Sequence, residues 1–174
     1  MVTAGNVMKL VLENISAIVF DFDGVLTENS VYISQDGSEQ VKCSRADGLA
    51  FDVLRKISKP VYILSSEKNN VVQARAKKLQ VPVLYGATDK VTALKDLALK
   101  EGINLLNILY VGNDLNDYHI MKLCGFTACP SDSHYMIKEI SDFILKTPGG
   151  KGIARELLED VLNLEIIKIL YDHK

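Results

Sequence analysis

Two carboxylates one residue apart follow an apolar run near the start of the chain, in the segment Ile18-Val19-Phe20-Asp21-Phe22-Asp23-Gly24-Val25-Leu26-Thr27. Buried parallel strands end in this way, with polar groups carried into a crevice at the sheet edge. Because side chains alternate along an extended chain, we expect Asp21 and Asp23 to point to the same side. Two such charges require a cation, and Mg²⁺ bound by carboxylates, phosphate and water would supply it. One carboxylate could then attack phosphorus as a nucleophile.

Three further polar features lie at the ends of later predicted strands. Ser65 and Ser66 follow one strand, where a hydroxyl and backbone amides can hold a phosphoryl oxygen. Lys90 opens a helix after the next strand, and its ammonium could neutralise both phosphate and nucleophile. The run Gly112-Asn113-Asp114-Leu115-Asn116-Asp117 follows a third strand, although it is equally typical of a turn with a helix cap. Their common placement favours one shared site.

The elements that would position these residues alternate along the chain. Strand-like apolar runs occupy residues 15–22, 61–65, 81–85, 108–112, 126–129 and 143–145. Helical spacing occupies residues 47–57, 71–79, 91–99 and 153–162. This alternation predicts an α/β fold, with a doubly wound, mainly parallel, Rossmann-like sheet covered on both faces. Ligands of such sheets bind at the carboxyl ends of the strands.

A hairpin interrupts the alternation directly after the acidic segment. Two short β-like stretches flank Asp36-Gly37 within residues 31–43, which predicts an inserted flap over about residues 30–43. A hairpin alone is marginally stable in water, so this one should pack on something. Another subunit and its own domain are both open as the packing partner.

Composition narrows the class of protein. The 174 residues are 48% hydrophobic, enough for one domain spanning residues 1–174. With 20 basic and 22 acidic residues the net charge is −2, which gives no general attraction to nucleic acid or to an anionic membrane. Small molecules are the expected partners. No apolar run has the length of a membrane span and the first residues lack a signal-peptide layout, so we expect a soluble cytoplasmic protein.

The cysteines and histidines do not indicate a zinc site. Cys43, Cys124 and Cys129 lack paired-ligand spacing and are expected to be free thiols. The histidines are expected at the surface or as helix caps, and they are His119, His134 and His173.

The motifs DFDGVLT, Ser65, Lys90 and GNDLND, in that order, resemble the four motifs of the haloacid dehalogenase superfamily, most of whose members are Mg²⁺-dependent phosphatases. Further similarity lies in the hairpin, the absence of a large cap domain, and the segments Ala46-Asp47-Gly48, Gly149-Gly150-Lys151-Gly152 and Ala154-Arg155-Glu156. Together they resemble the small phosphatases of 3-deoxy-D-manno-octulosonate 8-phosphate. The resemblance covers roughly residues 12–165 and extends to phosphatases of nine-carbon sugar-acid 9-phosphates and to domains appended to acylneuraminate cytidylyltransferases.

The resemblance implies specific roles. Asp21 would be the nucleophile, and Asp23 the general acid and base whose backbone carbonyl helps to bind Mg²⁺. Ser65 and Lys90 would hold the phosphoryl oxygens. Candidate substrate-binding residues are Gly24, Thr27, Asp47, Gly48, Ser66, Glu67 and Arg75. Candidate metal ligands are Asp21, Asp23, Asn113 and Asp114. Family members of this type are usually homotetramers in which hairpins pair and neighbouring subunits close the site on a phosphorylated 2-keto-3-deoxy sugar acid.

Two departures from the family pattern leave alternatives open. Asn113 stands where the phosphatases usually have a metal-binding aspartate, which should lower metal affinity unless Asp114 replaces it. A weakly active or non-catalytic oligomerisation or regulatory domain, associated with a cytidylyltransferase, is therefore the rival interpretation. Glu67 replaces a usual arginine and favours a nine-carbon over an eight-carbon substrate. Whether the tail, residues 164–174, packs on its own core or on a neighbour is also open.

Overall fold

The computed structural model describes residues 10–172, and two sheets lie within them. The strands are β1 (Ala17–Phe20), β2 (Tyr32–Ile33), β3 (Glu39–Gln40), β4 (Val61–Leu64), β5 (Val83–Leu84), β6 (Ile108–Val111), β7 (Phe126–Cys129) and β8 (Phe143–Ile144). Six of them form one sheet in the order β5-β4-β1-β6-β7-β8, and every neighbouring pair is parallel. The predicted α/β class is confirmed, and the order reverses on either side of β1.

The α-helices are α1 (Arg45–Lys56), α2 (Asn70–Leu79), α3 (Lys90–Glu101), α4 (Tyr118–Met121), α5 (Tyr135–Ile140), α6 (Ile153–Glu156) and α7 (Ile166–Tyr171). A wider helical turn, Leu157–Val161, continues α6, so the predicted helix over residues 153–162 is present in two parts. Side-chain caps explain several starts, because Ser44, Asn69 and Asp89 accept hydrogen bonds from the first backbone amides of α1, α2 and α3.

Both faces of the large sheet are buried, as the continuous apolar strand runs predict. Ile18 and Phe20 face the core that α1, α2, α6 and α7 cover. Ala17 and Val19 face the opposite core, which α3, α4 and α5 cover. The alternation of side chains along β1 thus fills two cores from one strand, which is why the run shows no alternation of apolar and polar residues. No large cap domain is present in the described part of the chain.

The predicted hairpin is confirmed as the antiparallel pair β2 and β3, with Tyr32 opposite Gln40. It contacts its own domain through the Thr27–Cys43 bridge at its base and through the Asn69 amide, which donates to Glu39 Oε2 at 2.9 Å beside the hairpin turn. Its apolar side chains face outward, with Tyr32 and Ile33 each 69% exposed. The hairpin therefore leaves an apolar surface uncovered by its own chain.

The described part of the tail packs on its own core. Ile166 and Leu170 on α7 are buried against α1, and the Lys56 ammonium contacts the Leu170 carbonyl oxygen. This answers the question left open by the sequence for residues up to 172, while His173 lies outside the described residues. None of the described helices has the length and apolar character needed to cross a membrane.

The structure also tests the predictions about the cysteines and histidines. The cysteines are free thiols, with Cys129 buried and the other two half-buried. His134 caps α5 by accepting a hydrogen bond from the Met136 backbone at 3.3 Å, and His119 is exposed.

Candidate active site

The chemistry-bearing residues converge at the carboxyl edge of the central strands. Asp21 directly follows β1, Ser65 follows β4, and Asn113 lies two residues beyond β6. These three strands are neighbours in the sheet, so their ends meet. They border a groove of about 380 Å³ lined by Asp21, Asp23, Asn29, Ser66, Glu67, Asn113, Asp114, Leu115 and Asn116.

A tight turn after β1, residues 21–27, brings its two carboxylates to the groove, and we call it the catalytic loop. The prediction that the strand runs to residue 22 is wrong, because β1 ends at Phe20. Asp21 Oδ1 accepts from the Phe22 backbone at 2.7 Å, and Gly24 turns the chain at a φ of +79°. Asp21 and Asp23 share the groove because of this turn and not because of strand alternation.

Lys90 joins two carboxylates beneath the groove. Its Nζ lies 2.8 Å from Asp21 Oδ1 and 2.8 Å from Asp117 Oδ1, and all three side chains are almost fully buried. Asp117 Oδ1 also accepts from the Tyr110 hydroxyl at 2.9 Å, and Asp117 Oδ2 accepts from the Asn113 backbone at 2.9 Å. Asp117 therefore links the lysine to the segment that carries Asn113.

Asp117 lies in the GNDLND motif, but the sequence alone predicts no role for it. The available signal was its position four residues after Asn113, because a short turn can fold such a residue back onto the strand end. The structure forms that turn over Leu115–Asp117. Asn29 and Asn116 also line the groove and were not predicted.

Burial and charge shift the proton affinities of this network. Burial raises the pKa of Asp21 well above its ordinary value, and the nearby negative charge of Asp117 adds to the shift while Lys90 opposes it. Burial by itself lowers the pKa of Lys90, but Asp21 and Asp117 outweigh it, so the pKa lies above its ordinary value. The two carboxylates therefore favour the charged form of Lys90 at the base of the groove.

Asp23 experiences a different environment at the groove wall. Burial, followed by the negative charges of Glu67 and Glu39, raises the pKa of Asp23 to about 6, with Lys90 opposing. A carboxyl group with such a pKa exchanges its proton near neutral pH, which suits a general acid and base. Ser65 lies close by and accepts a hydrogen bond from the Glu67 backbone at 3.1 Å, which fixes its hydroxyl at the end of β4.

The donor atoms at the groove suit a hard cation. Asn113 Oδ1 and Asp23 Oδ2 are buried oxygens that have no hydrogen-bond partner among the described residues. Asp114 is instead half-buried and accepts a hydrogen bond from the Leu115 backbone at 2.7 Å. Within residues 10–172 no three His, Cys, Asp or Glu side chains are arranged to hold a metal ion. The Asp21 carboxylate, the Asp23 backbone carbonyl and the neutral Asn113 amide oxygen are the donor set that fits Mg²⁺ here, which leaves the Asp23 carboxyl free to carry a proton.

The remaining candidate substrate-binding residues divide into two groups. Ser66 and Glu67 line the groove, while Gly24 backs onto Asn113, whose Nδ2 would lie 1.9 Å from a Cβ at position 24. Thr27 is buried and its hydroxyl accepts from the Gly24 backbone at 3.3 Å, so it stabilises the catalytic loop.

The structure does not bring the other three candidates to this groove. Asp47 is buried beneath α6, where its Oδ1 accepts from the Ala154 backbone at 2.9 Å. Gly48 and Arg75 line a separate cleft between α1 and α2. Within one chain these residues therefore lie outside the groove lining.

Comparison with known proteins agrees with this geometry. The model of the haloacid dehalogenase-like hydrolase family matches residues 49–157, most of the chain. The 3-deoxy-D-manno-octulosonate 8-phosphate phosphatase of Escherichia coli K12 is 30% identical over 151 residues, which are 86% of this chain and 80% of the relative. The chain belongs to the haloacid dehalogenase-like hydrolases. It is an enzyme of the phosphatase type within that family.

Solved structures of haloacid dehalogenase-like hydrolases have the same fold. A putative hydrolase from Streptomyces avermitilis superposes with a TM-score of 0.88 at 39% identity, covering 92% of each chain. The 3-deoxy-D-manno-octulosonate 8-phosphate phosphatase of Moraxella catarrhalis, solved with magnesium ion, phosphate ion and KDO, superposes with a TM-score of 0.83 at 29% identity. That comparison covers 87% of this chain and 88% of the other.

Proposed function

We propose that this haloacid dehalogenase-like hydrolase is a Mg²⁺-dependent phosphomonoesterase acting on a phosphorylated 2-keto-3-deoxy sugar acid. The observation that carries the proposal is the buried trio of Asp21, Lys90 and Asp117 at the base of an oxygen-lined groove. A nucleophilic carboxylate beside a fixed cation is what attack on a phosphate ester requires. The named relatives act on, or were solved with, sugar acids of this class.

In the first step Asp21 would attack phosphorus, and the bond from phosphorus to the sugar oxygen would break. Asp23 would give its proton to that leaving oxygen, and the product on the enzyme would be an aspartyl phosphate. Lys90 and Ser65 would hold the phosphoryl oxygens as their charge grows. In the second step Asp23 would take a proton from water, whose oxygen attacks phosphorus and releases Asp21 and phosphate.

We assign the metal to the Asp21 carboxylate, the Asp23 backbone carbonyl and the Asn113 amide oxygen. When bound, Mg²⁺ would offset the negative charge of phosphate and carboxylates at close range. Asn113 is preferred to Asp114 as the third protein ligand, because its amide oxygen is buried and unpartnered while the Asp114 carboxylate already accepts a backbone hydrogen bond. A neutral ligand removes one negative charge from the site and should weaken metal binding.

One observation favours a nine-carbon over an eight-carbon substrate, and a second favours assembly as a homotetramer. Glu67 lines the groove and can accept hydrogen bonds from sugar hydroxyls, but it cannot bind a carboxylate. The outward-facing Tyr32 and Ile33 give the hairpin an apolar surface that subunit contacts would cover. A neighbouring subunit would then close the groove and meet the substrate carboxylate.

The cysteines Cys43, Cys124 and Cys129 are free thiols, which fits our proposal of a cytoplasmic, single-domain enzyme.

Phosphate release with Mg²⁺ tests the activity, using octulosonate 8-phosphate and a neuraminate-type 9-phosphate as substrates. We expect release by the wild type, background rates for Asp21→Asn, and wild-type rates for Asp96→Asn, a control at an exposed position on α3. Background rates for the wild type on both substrates, unchanged in Asp21→Asn, would contradict the enzyme. That outcome would favour the rival interpretation, a regulatory domain for a cytidylyltransferase, which Asn113 alone motivates.

Titration calorimetry of Mg²⁺ tests the metal ligand without relying on activity. Asn113→Asp adds a charge at the unpartnered oxygen and should tighten binding by about tenfold or more, since affinity follows ligand charge. Asn116→Asp adds the same charge elsewhere on the groove wall and should change affinity much less. Equal tightening by both variants would show that Asn113 does not contact the metal.

A further inference from the structure

A glycine turn late in the chain, residues 147–152, lies directly against the backbone of the catalytic loop. The Gly150 amide donates to the Val25 carbonyl at 2.9 Å. A Cβ on Gly149 would lie 2.1 Å from the Gly24 carbonyl oxygen, and a Cβ on Gly150 would lie 2.3 Å from the Glu28 amide nitrogen. Both glycines are buried, so no side chain fits between the two segments.

Two carboxylates hold the glycine turn in place. Glu156 accepts from the Lys146 amide at 2.7 Å and from the Thr147 amide at 2.8 Å. Asp132 accepts from the Gly149 amide at 2.9 Å. Because hydrogen bonds to carboxylates are stronger than those to neutral groups, the turn is firmly held at its start and at Gly149.

The catalytic loop is enclosed from the other side as well. A Cβ on Gly24 would lie 1.9 Å from Asn113 Nδ2, and the carbonyl oxygen of Gly24 lies against Gly149. Gly24 is therefore packed between Asn113 and Gly149. Asp23 immediately precedes Gly24 and its carboxyl faces the groove. Movement of the glycine turn would therefore be transmitted to Asp23 through one peptide unit.

We propose that the glycine turn is a positioning element of the phosphatase reaction: Gly149 and Gly150, held by Glu156 and Asp132, set where Asp23 meets the leaving-group oxygen. The inference rests on the proposed function and adds to it a requirement on residues that touch no substrate. The turn acts through the backbone of the catalytic loop. Its loss should therefore impair proton transfer more than phosphate binding, because misplacement of about 1 Å is costly for a general acid.

The test compares two esters in one variant. A p-nitrophenyl phosphate leaves with little need of a proton, whereas a sugar phosphate needs the acid. In Gly150→Ala, kcat/KM for the sugar-acid phosphate should fall by about tenfold or more relative to kcat/KM for the nitrophenyl ester, since kcat/KM reports formation of the aspartyl phosphate and a positioned acid contributes about 10²- to 10⁴-fold to that step. KM should change less than kcat.

Gly102→Ala is the matched control. Gly102 has a φ of +66° and Gly150 a φ of +70°, so alanine brings similar backbone strain to both, but nothing lies within 4 Å of a Cβ at position 102. We expect its ratio of the two rates to equal that of the wild type. Circular dichroism melting of every variant shows that the folded protein is being assayed.

If Gly150→Ala does not fold, Glu156→Gln tests the positioning role of the glycine turn instead. Its neutral amide can accept only one of the two backbone bonds, so the same change in rate ratio is expected with a smaller size. Equal losses of kcat/KM on both esters in the folded variants would overturn the positioning role while leaving the proposed function intact. A wild type that hydrolyses neither ester would overturn the proposed function, and the positioning role with it.

Discussion

Replacing Asp117 with asparagine removes one negative charge from the buried network that holds Lys90. In the native chain one Asp117 oxygen accepts from Lys90 and Tyr110, and the other accepts from the Asn113 backbone. An asparagine has a single acceptor oxygen. If that oxygen faces Lys90, the amide nitrogen meets the Asn113 N–H, and two donors oppose each other without water.

The size of the loss in activity and stability follows from these contacts. The lysine loses a charged partner at 2.8 Å but keeps Asp21 at 2.8 Å. A hydrogen bond to a charged group contributes about 1.5–3 kcal/mol, and each 1.36 kcal/mol is about tenfold in rate. We therefore expect kcat/KM to fall by about 10- to 150-fold. Stability should also fall by about 1–3 kcal/mol, because the Asn113 N–H is left buried without an acceptor.

Steady-state hydrolysis of p-nitrophenyl phosphate and urea unfolding measure the two effects. Tyr110→Phe is the matched control, because it removes only a neutral hydrogen bond to the same oxygen and leaves the charges in place. Its loss should be about two- to tenfold, from about 0.5–1.5 kcal/mol. The reasoning fails if Asp117→Asn keeps kcat/KM within about twofold of the wild type, or if Tyr110→Phe costs more than Asp117→Asn.

Two other predictions concern pH and assembly. Burial raises the pKa of Asp47 from 3.8 to about 6. Between these two values the folded state keeps a proton that the unfolded state has lost, so the free energy of unfolding falls as the pH rises from about 4 to above 6. Asp47→Asn should therefore gain stability relative to the wild type between pH 4 and pH 7 in urea unfolding, and parallel pH curves would exclude the shift. Ile33→Asp should dissociate the proposed homotetramer in sedimentation velocity, whereas Gln35→Asp, at an exposed turn position of the same hairpin, should not. A wild type that is monomeric at high concentration would refute that assembly.

Much of the fold could be predicted because its strands and helices are defined by local pattern. The run leading to Asp21 is buried on both faces, so its uninterrupted apolar character indicates a central parallel strand. The Asp36-Gly37 turn indicates the hairpin in the same local way. Ends were less predictable, since β1 stops at Phe20, where the Asp21 amide makes the last bond to β6 and hydrogen bonds within the catalytic loop take over.

Candidate residues were harder to place than elements. Ser66, Glu67 and Asn113 reached the groove as expected, since each follows a central strand. Asp47 and Arg75 did not, because a helix presents its residues all round and only packing decides which side meets the groove. Their predicted substrate roles rested on resemblance alone.

The sequence by itself determined the chemistry available at the sheet edge: two carboxylates, a hydroxyl, a lysine and an amide in the order of the strands. Tertiary structure decided how they act together. Lys90 and Asp117 are 27 residues apart, and only the parallel sheet brings them into contact. Likewise the choice of Asn113 over Asp114 depends on which side chain is left without a partner. Hydrogen bonds and close packing are short-ranged in space but not in sequence, so residue spacing cannot express them.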